Sequence, residues 1–167
     1  PITCIIGGSK ISTKIDIIKN LIPKFNNIIF VGGMANNILS FKGNKIGKSI
    51  SEENCEGIIK EIFEISKNTL CEVTYPEDVL IGKSADDDAQ IKDLKDITDD
   101  DLILDVGPKT LKRIKNIIEK SETVLWNGPA GYFENPNFAK GSFEIAKTII
   151  KKNKDNSIYS VIGGGDT

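Results

Sequence analysis

Short unbroken apolar runs alternate along this chain with longer segments whose apolar positions recur every three or four residues. The runs at residues 2–6, 28–31, 70–74, 79–82, 102–106, 123–126 and 158–162 read as strands. Most are continuous rather than alternating, the pattern of a strand buried on both faces. Between them lie five helical segments. One starts at Ser12 as N-cap and runs to about Ile22, with Ile15, Ile18, Leu21 and Ile22 as its stripe. A short one covers Met34 to Phe41. The third starts at Ser51, with Glu52 and Glu53 in its first turn, and reaches Lys67. The fourth opens on Pro108, suited to a first helical position, and continues to about Lys120. The last begins at Asn135-Pro136 and aligns Ala139, Phe143, Ala146 and Ile150 on one face.

Strands alternating with helices predict an α/β domain: a three-layer, open, mostly parallel sheet with helices on both faces, Rossmann-like. Residues 83–101 interrupt the alternation. They are polar, carry the acidic runs Asp86–Asp88 and Asp99–Asp101, and are expected to be an exposed excursion rather than a cation site. Ligands of such sheets bind beyond the carboxyl ends of the strands. Glycine stands there five times: Gly7-Gly8, Gly32-Gly33, Gly107, Gly128 with Gly131, and Gly163-Gly164-Gly165. Without a Cβ, glycine lets backbone N–H groups approach an anion. The expectation is one phosphate-binding crevice rimmed by all five turns.

Composition removes several chemistries. The formal net charge of −2 gives no reason to expect nucleic acid as a partner. No apolar run approaches the roughly 20 residues that span a bilayer, so no membrane role is expected. The cysteines, Cys4, Cys55 and Cys71, fit no zinc spacing, and their odd number argues for free thiols in a reduced, cytoplasmic setting. Histidine is absent. Chemistry must therefore use Lys, Asp, Glu, backbone N–H groups or a borrowed metal.

Two nucleotide motifs fail. Gly43-Asn44-Lys45-Ile46-Gly47-Lys48-Ser49 is one residue short of a P-loop and follows no strand. The dinucleotide fingerprint G-x-G-x-x-G is missing from every strand end where it can be checked, which disfavours an oxidoreductase. Lys10 and Lys14 remain, four residues apart after the first glycine turn. Two cations near a helix start suit a polyphosphate. Asp166, after the triple glycine, suits either an N-cap or a magnesium ligand. Glu134 suits a ribose hydroxyl.

The stretches Gly7–Lys14, Val31–Ala35, Ile46–Ser49, Leu104–Pro108, Trp126–Glu134 and Gly163–Thr167, in this order and from end to end, resemble the carboxyl-terminal, nucleotide-binding domain of the phosphoglycerate kinase family. The resemblance implies phosphoryl transfer between 1,3-bisphosphoglycerate and ADP, giving 3-phosphoglycerate and Mg·ATP, in glycolysis. It implies that Lys10 follows the transferring group, with Gly164 and Gly165 beside it in catalysis. Gly8, Lys10, Lys14, Gly32, Gly33, Asn127, Pro129, Glu134, Gly163, Gly164, Gly165, Asp166 and Thr167 would bind the nucleotide, and Asp166 would also hold Mg²⁺. Ile103 departs from the family's Met-Gly-Leu-Asp segment, which leaves the adenine contact there open.

The chain is expected to be a single partial domain, residues 1–167, ending after the last glycine turn, without the family's amino-terminal domain that binds the phosphoglycerate. The family expectation is a monomer. Two readings stay beside the kinase: a non-catalytic nucleotide-binding module, and a dinucleotide-dependent oxidoreductase. Because one substrate site and the closing partner domain are not in this sequence, the 167-residue chain alone is expected to show no turnover in a coupled kinase assay. Turnover from it would refute this.

Overall fold

The structure, a computed structural model, describes residues 1–155 and 158–163. Five strands form a wholly parallel sheet: β1 (Ile2–Ile6), β2 (Asn27–Phe30), β3 (Glu72–Thr74), β7 (Thr123–Asn127) and β8 (Tyr159–Gly163), in the order β3-β2-β1-β7-β8. Three more, β4 (Asp78–Gly82), β5 (Gln90–Asp93) and β6 (Leu102–Val106), make a separate antiparallel sheet in the order β5-β4-β6. The helices are α1 (Ile15–Leu21), α2 (Gly32–Phe41), α3 (Glu56–Lys67), α4 (Pro108–Glu119) and α5 (Lys140–Lys154).

Successive side chains of a strand point to opposite faces, and this explains the unbroken apolar runs. Cys4, Ile6, Ile28 and Phe30 face a core shared with Ile18, Met34, Ile38, Ile59 and Ile62 of α1, α2 and α3. Ile5, Ile29, Val31, Val124 and Trp126 face a second core with Leu111, Ile114 and Ile118 of α4 and Ile145 and Ile149 of α5. The three-layer α/β architecture read from the sequence is the one observed.

Several local expectations are corrected. β6 does not belong to the parallel sheet, so Gly107 is not a fifth rim of the crevice; the backbone there packs against the carboxyl of Asp78 instead. An apolar run reports burial, not its pairing partner. The polar stretch 83–101 contains β5 and a 3-10 turn at Leu94–Asp96. It is not wholly exposed either, because Asp101 is fully buried. Burial alone would raise the pKa of Asp101. The ammonium groups of Lys83 and Lys92, at 2.7 and 2.8 Å, outweigh it and hold the carboxyl below its usual range. Among the described residues no cluster of acidic, cysteine or histidine side chains is arranged to hold a metal ion.

Neither serine caps its expected helix. Ser12 lies in a 3-10 turn, Ile11–Thr13, and its hydroxyl donates to Glu52 at 2.6 Å. The Glu52 N–H in turn donates to Asn37 Oδ1 at 2.7 Å. These tertiary bonds hold residues 51–55 out of α3, which starts at Glu56. In α5 the inward face is set by Gly141, Ile145 and Ile149, whereas Phe143 and Ile150 are exposed. Asn135 caps only a 3-10 turn, Pro136–Phe138.

Two carboxylates join the layers. Asp78, from β4, accepts the Lys109 and Thr110 N–H groups and the Thr110 hydroxyl at 2.7–2.9 Å, so it caps α4 from another element. At the other end of α4, Lys152 of α5 donates to the carbonyls of Ile118, Glu119 and Ser121. Asp105, at the end of β6, accepts the Gly141 N–H of α5 at 2.9 Å and the Val106 N–H at 2.8 Å. Burial pushes its pKa up to about 6, against the pull of those two N–H groups.

Asp78→Ala leaves two N–H groups of α4 unpaired in a buried place. It should cost about 3 kcal/mol, read from urea unfolding, while Asp93→Ala on the exposed side of Lys109 should stay within about 0.5 kcal/mol. Equal effects would refute the capping role. For Asp105, the folded pKa of about 6 lies above that of an unfolded aspartate. The folded state thus holds the extra proton, and the stability it contributes is complete below about pH 4 and lost as pH rises through about 6. The unfolding free energy of the native protein relative to Asp105→Asn should fall by up to about 3 kcal/mol between pH 4 and 7; a constant difference would overturn the shift.

Candidate functional site

The chain leaves β1 for β2 and β3 on one side, then returns to place β7 and β8 on the other. The order therefore reverses between β1 and β7, and their adjoining carboxyl ends make a crevice of the kind that binds ligands in open α/β sheets. The turn after β1 is Gly7-Gly8. The turn after β7 is Asn127-Gly128-Pro129.

These turns meet backbone to backbone. The Gly7 N–H donates to the Asn127 carbonyl at 2.7 Å, and the Met34 N–H at the start of α2 donates to the Gly8 carbonyl at 2.8 Å. A Cβ on Gly128, whose φ is +94°, would lie 2.5 Å from the Gly7 carbonyl carbon. The buried Trp126 fixes the same turn by donating its indole N–H to the Gly128 carbonyl at 2.8 Å. Three loops, from β1, β2 and β7, are thus sewn together at one point.

Lys14 lies across that point. It precedes α1 and turns back, so that Nζ donates to the Gly7 carbonyl at 2.8 Å and to Asn127 Oδ1 at 3.2 Å. Burial lowers its pKa. Gly163 stands opposite Asn127 in the β7–β8 register, and a Cβ on it would meet the Asn127 amide nitrogen at 3.6 Å. Lys14, Asn127 and Gly163 are therefore together. Lys10 is exposed and precedes the 3-10 turn Ile11–Thr13, whereas Lys14 precedes α1, so the two are not on one helix.

Beside this cluster opens a cavity of about 180 Å³. Gly8, Gly32, Gly33 and Pro129, all expected at the site, line it. Its apolar walls are Ile50, Ile103 and Leu104. Ile103, left open by its departure from the family segment, thus does face the cavity. Glu134 does not line it, but its carboxylate lies beside Tyr132, which does, and raises the pKa of that phenol. Gly164, Gly165, Asp166 and Thr167 lie outside the described residues, and with them the expected metal ligand.

Sequence reasoning missed Asn36, Ile50 and Asp105 as cavity residues. Asp105 and Leu104 precede Gly107 at a strand end, which was a usable signal. Ile50 sits in a loop with no periodicity, and Asn36 reads as a polar position on a short helix.

The arrangement suits a ligand with a flat apolar part in the cavity and an anionic part over Lys14. Among the described residues no helix is long and apolar enough to cross a membrane. Comparison with known proteins agrees with the geometry. The family profile described as "Phosphoglycerate kinase" matches residues 1–167. Phosphoglycerate kinase of Wolbachia pipientis wMel is 41% identical over 168 residues, covering 100% of this chain and 42% of the relative. That of Zymomonas mobilis subsp. mobilis is 38% identical over 169 residues, covering 100% of this chain and 43% of its own length. The solved phosphoglycerate kinase of Coxiella burnetii superposes over 100% of this chain and 42% of its own, with a TM-score of 0.93 and 34% identity. That of Pyrococcus horikoshii OT3, at 24% identity and a TM-score of 0.74 over 98% of this chain and 41% of its own, shares the fold. The chain spans about 42% of the length of these curated relatives, and within that span it belongs to the phosphoglycerate kinase family.

Proposed function

We propose that this chain is the nucleotide-binding part of a phosphoglycerate kinase, which transfers a phosphoryl group between 1,3-bisphosphoglycerate and ADP. The observation that carries the reading is Lys14, whose ammonium sits at the switch point between β1 and β7, next to an apolar cavity. The base enters the cavity against Ile50, Ile103 and Leu104. The phosphates lie over Lys14, with Gly163, Gly164 and Gly165 offering backbone N–H groups. Glu134 takes the ribose, and Thr167 assists at the phosphates.

In the transfer, the bond between the acyl oxygen and phosphorus breaks as an oxygen of the ADP β-phosphate bonds to the same phosphorus. Charge builds on the three equatorial oxygens, and stabilising it is nearly all the protein must do. Lys10, exposed after the first glycine turn, is the side chain suited to follow that group. Mg²⁺ bound with the nucleotide would neutralise phosphate charge, with Asp166 proposed as its carboxylate. The phosphoglycerate is proposed to bind through a second domain, and the protein to work as a cytoplasmic monomer.

Calorimetry on the intact native protein, in the presence of Mg²⁺, tests the reading. ADP should bind at least about tenfold more tightly than NAD, and Lys14→Met should weaken ADP by about 10–100-fold, as expected for a lost charged hydrogen bond. A preference for NAD, or unchanged ADP affinity in a folded Lys14→Met, would overturn it. A coupled assay of ADP with 1,3-bisphosphoglycerate adds the catalytic test: absence of turnover in the intact protein leaves only a nucleotide-binding module.

A further inference from the structure

A second cavity, of about 460 Å³, lies between α4, the start of α5 and the small antiparallel sheet. It shares no lining residue with the cavity beside Gly8. Its volume falls within the roughly 300–1,000 Å³ of pockets that hold small organic ligands. Such pockets are mostly apolar, with a few polar groups that fix orientation. Leu80 of β4, Val106 of β6 and Leu111 of α4 supply the apolar floor, and Ile91 of β5, 61% exposed, supplies an apolar edge.

Two lysines stand at one end of this cleft. Lys112 follows Pro108 by one turn of α4, and Pro108 follows Gly107 at the end of β6. Lys140 precedes Gly141, whose N–H is held by Asp105, the neighbour of Val106. Both lysines are therefore tied to the same end of β6. Both are exposed, and among the described residues neither is in an ion pair.

The acids nearby do not neutralise them. Glu144 is taken by Lys115 at 2.6 Å and Lys147 at 3.6 Å. Glu119 stands seven residues beyond Lys112 on α4, about 10 Å along the helix. Asp105 attracts Lys140, but its two oxygens already accept the Val106 and Gly141 N–H groups. The start of α4 adds nothing, because Asp78 holds the Lys109 and Thr110 N–H groups. Residues 108–120 and 140–154 together carry ten Lys and Arg but two Glu, in a chain of net charge −2. A cleft with one sign of charge and apolar walls focuses that field on its mouth.

We propose that this cleft is a second ligand site, for a small organic anion with an apolar body, its carboxylate between Lys112 and Lys140 and its hydrocarbon over Leu80, Val106 and Leu111. A bare anion would meet only solvated lysines, where pairing is weak. A neutral hydrocarbon would dry the surface beside two ammonium groups without pairing them. A molecule with both parts excludes water with one and thereby strengthens the attraction felt by the other. The site does not depend on the nucleotide reading.

Octanoate is the probe, with octanol and inorganic phosphate as its two halves. Each is titrated into the isotope-labelled intact native protein while amide resonances are followed. Octanoate should shift the Ile91, Val106, Gly107 and Leu111 amides to saturation, and octanol and phosphate should bind there at least about tenfold more weakly. Lys112→Gln combined with Lys140→Gln should weaken octanoate by about 3–30-fold, whereas Lys60→Gln with Lys67→Gln, on α3, should change it by less than about twofold. Octanoate shifts that avoid these amides, or no shifts, overturn the site. Octanol or phosphate binding as well as octanoate overturns the ligand class. An unchanged affinity in the cleft variant, or an equal loss in the α3 variant, overturns the role of the two lysines. The three-ligand comparison needs no substitution, so a folding defect in a variant cannot shelter the proposal.

Discussion

Everything at the candidate site depends on the direct approach of two backbones. The turn after β1 and the turn after β7 touch where a Cβ on Gly7 would fall 2.5 Å from the Pro129 carbonyl oxygen and one on Gly128 2.5 Å from the Gly7 carbonyl carbon. That contact removes a layer of side chains from the mouth of the sheet. It brings Asn127 within reach of Lys14, lets the Gly7 carbonyl receive the same ammonium, and leaves α2 to start directly behind Gly8. A methyl group here would separate β1 from β7, and the cavity beside Gly8 and Pro129 would lose its shape before any ligand was involved.

The second constraint is the attachment of the small sheet. β4, β5 and β6 pair with nothing in the parallel sheet, yet β6 supplies two walls of the cavity, Ile103 and Leu104. They are held in register by buried carboxylates rather than by strand pairing. Asp105 bonds to the first turn of α5, Asp78 to the first turn of α4, and Asp101 to two lysines of its own sheet. Carboxylates at helix starts and between ammonium groups are strong and directional. Asp105 and Asp78 serve here as joints between the small sheet and the helices packed on the parallel one, while Asp101 ties the small sheet to itself.

How far the chain could be read in advance follows from what periodicity records. Burial on two faces was legible in runs such as Cys4-Ile5-Ile6, and so was the alternation that makes an α/β domain. Lys14 and the glycine turns stood out because they recur at strand ends. Pairing partners were not legible: Leu102–Val106 is as apolar as a strand of the parallel sheet but lies in the other one. Helix starts failed wherever a distant side chain competed, as Glu52 does for Ser12. The face of α5 was missed by phase, since Phe143 and Ile150 fit a helical stripe as well as Ile145 and Ile149 do. Asn36 carries no local signal at all; its place beside the cavity is one that only packing reveals.

The double clamp on α4 has a consequence for motion. Its first amides are held by a side chain from β4 and its last carbonyls by Lys152 from α5, so neither end is free to fray alone. Helix termini ordinarily open first and cheaply, whereas opening this one requires the small sheet or α5 to let go as well. The antiparallel sheet, α4 and α5 thus form one cooperative unit. The backbone amides of α4 would exchange with solvent deuterium together, on the timescale of that larger opening, rather than from the ends inward.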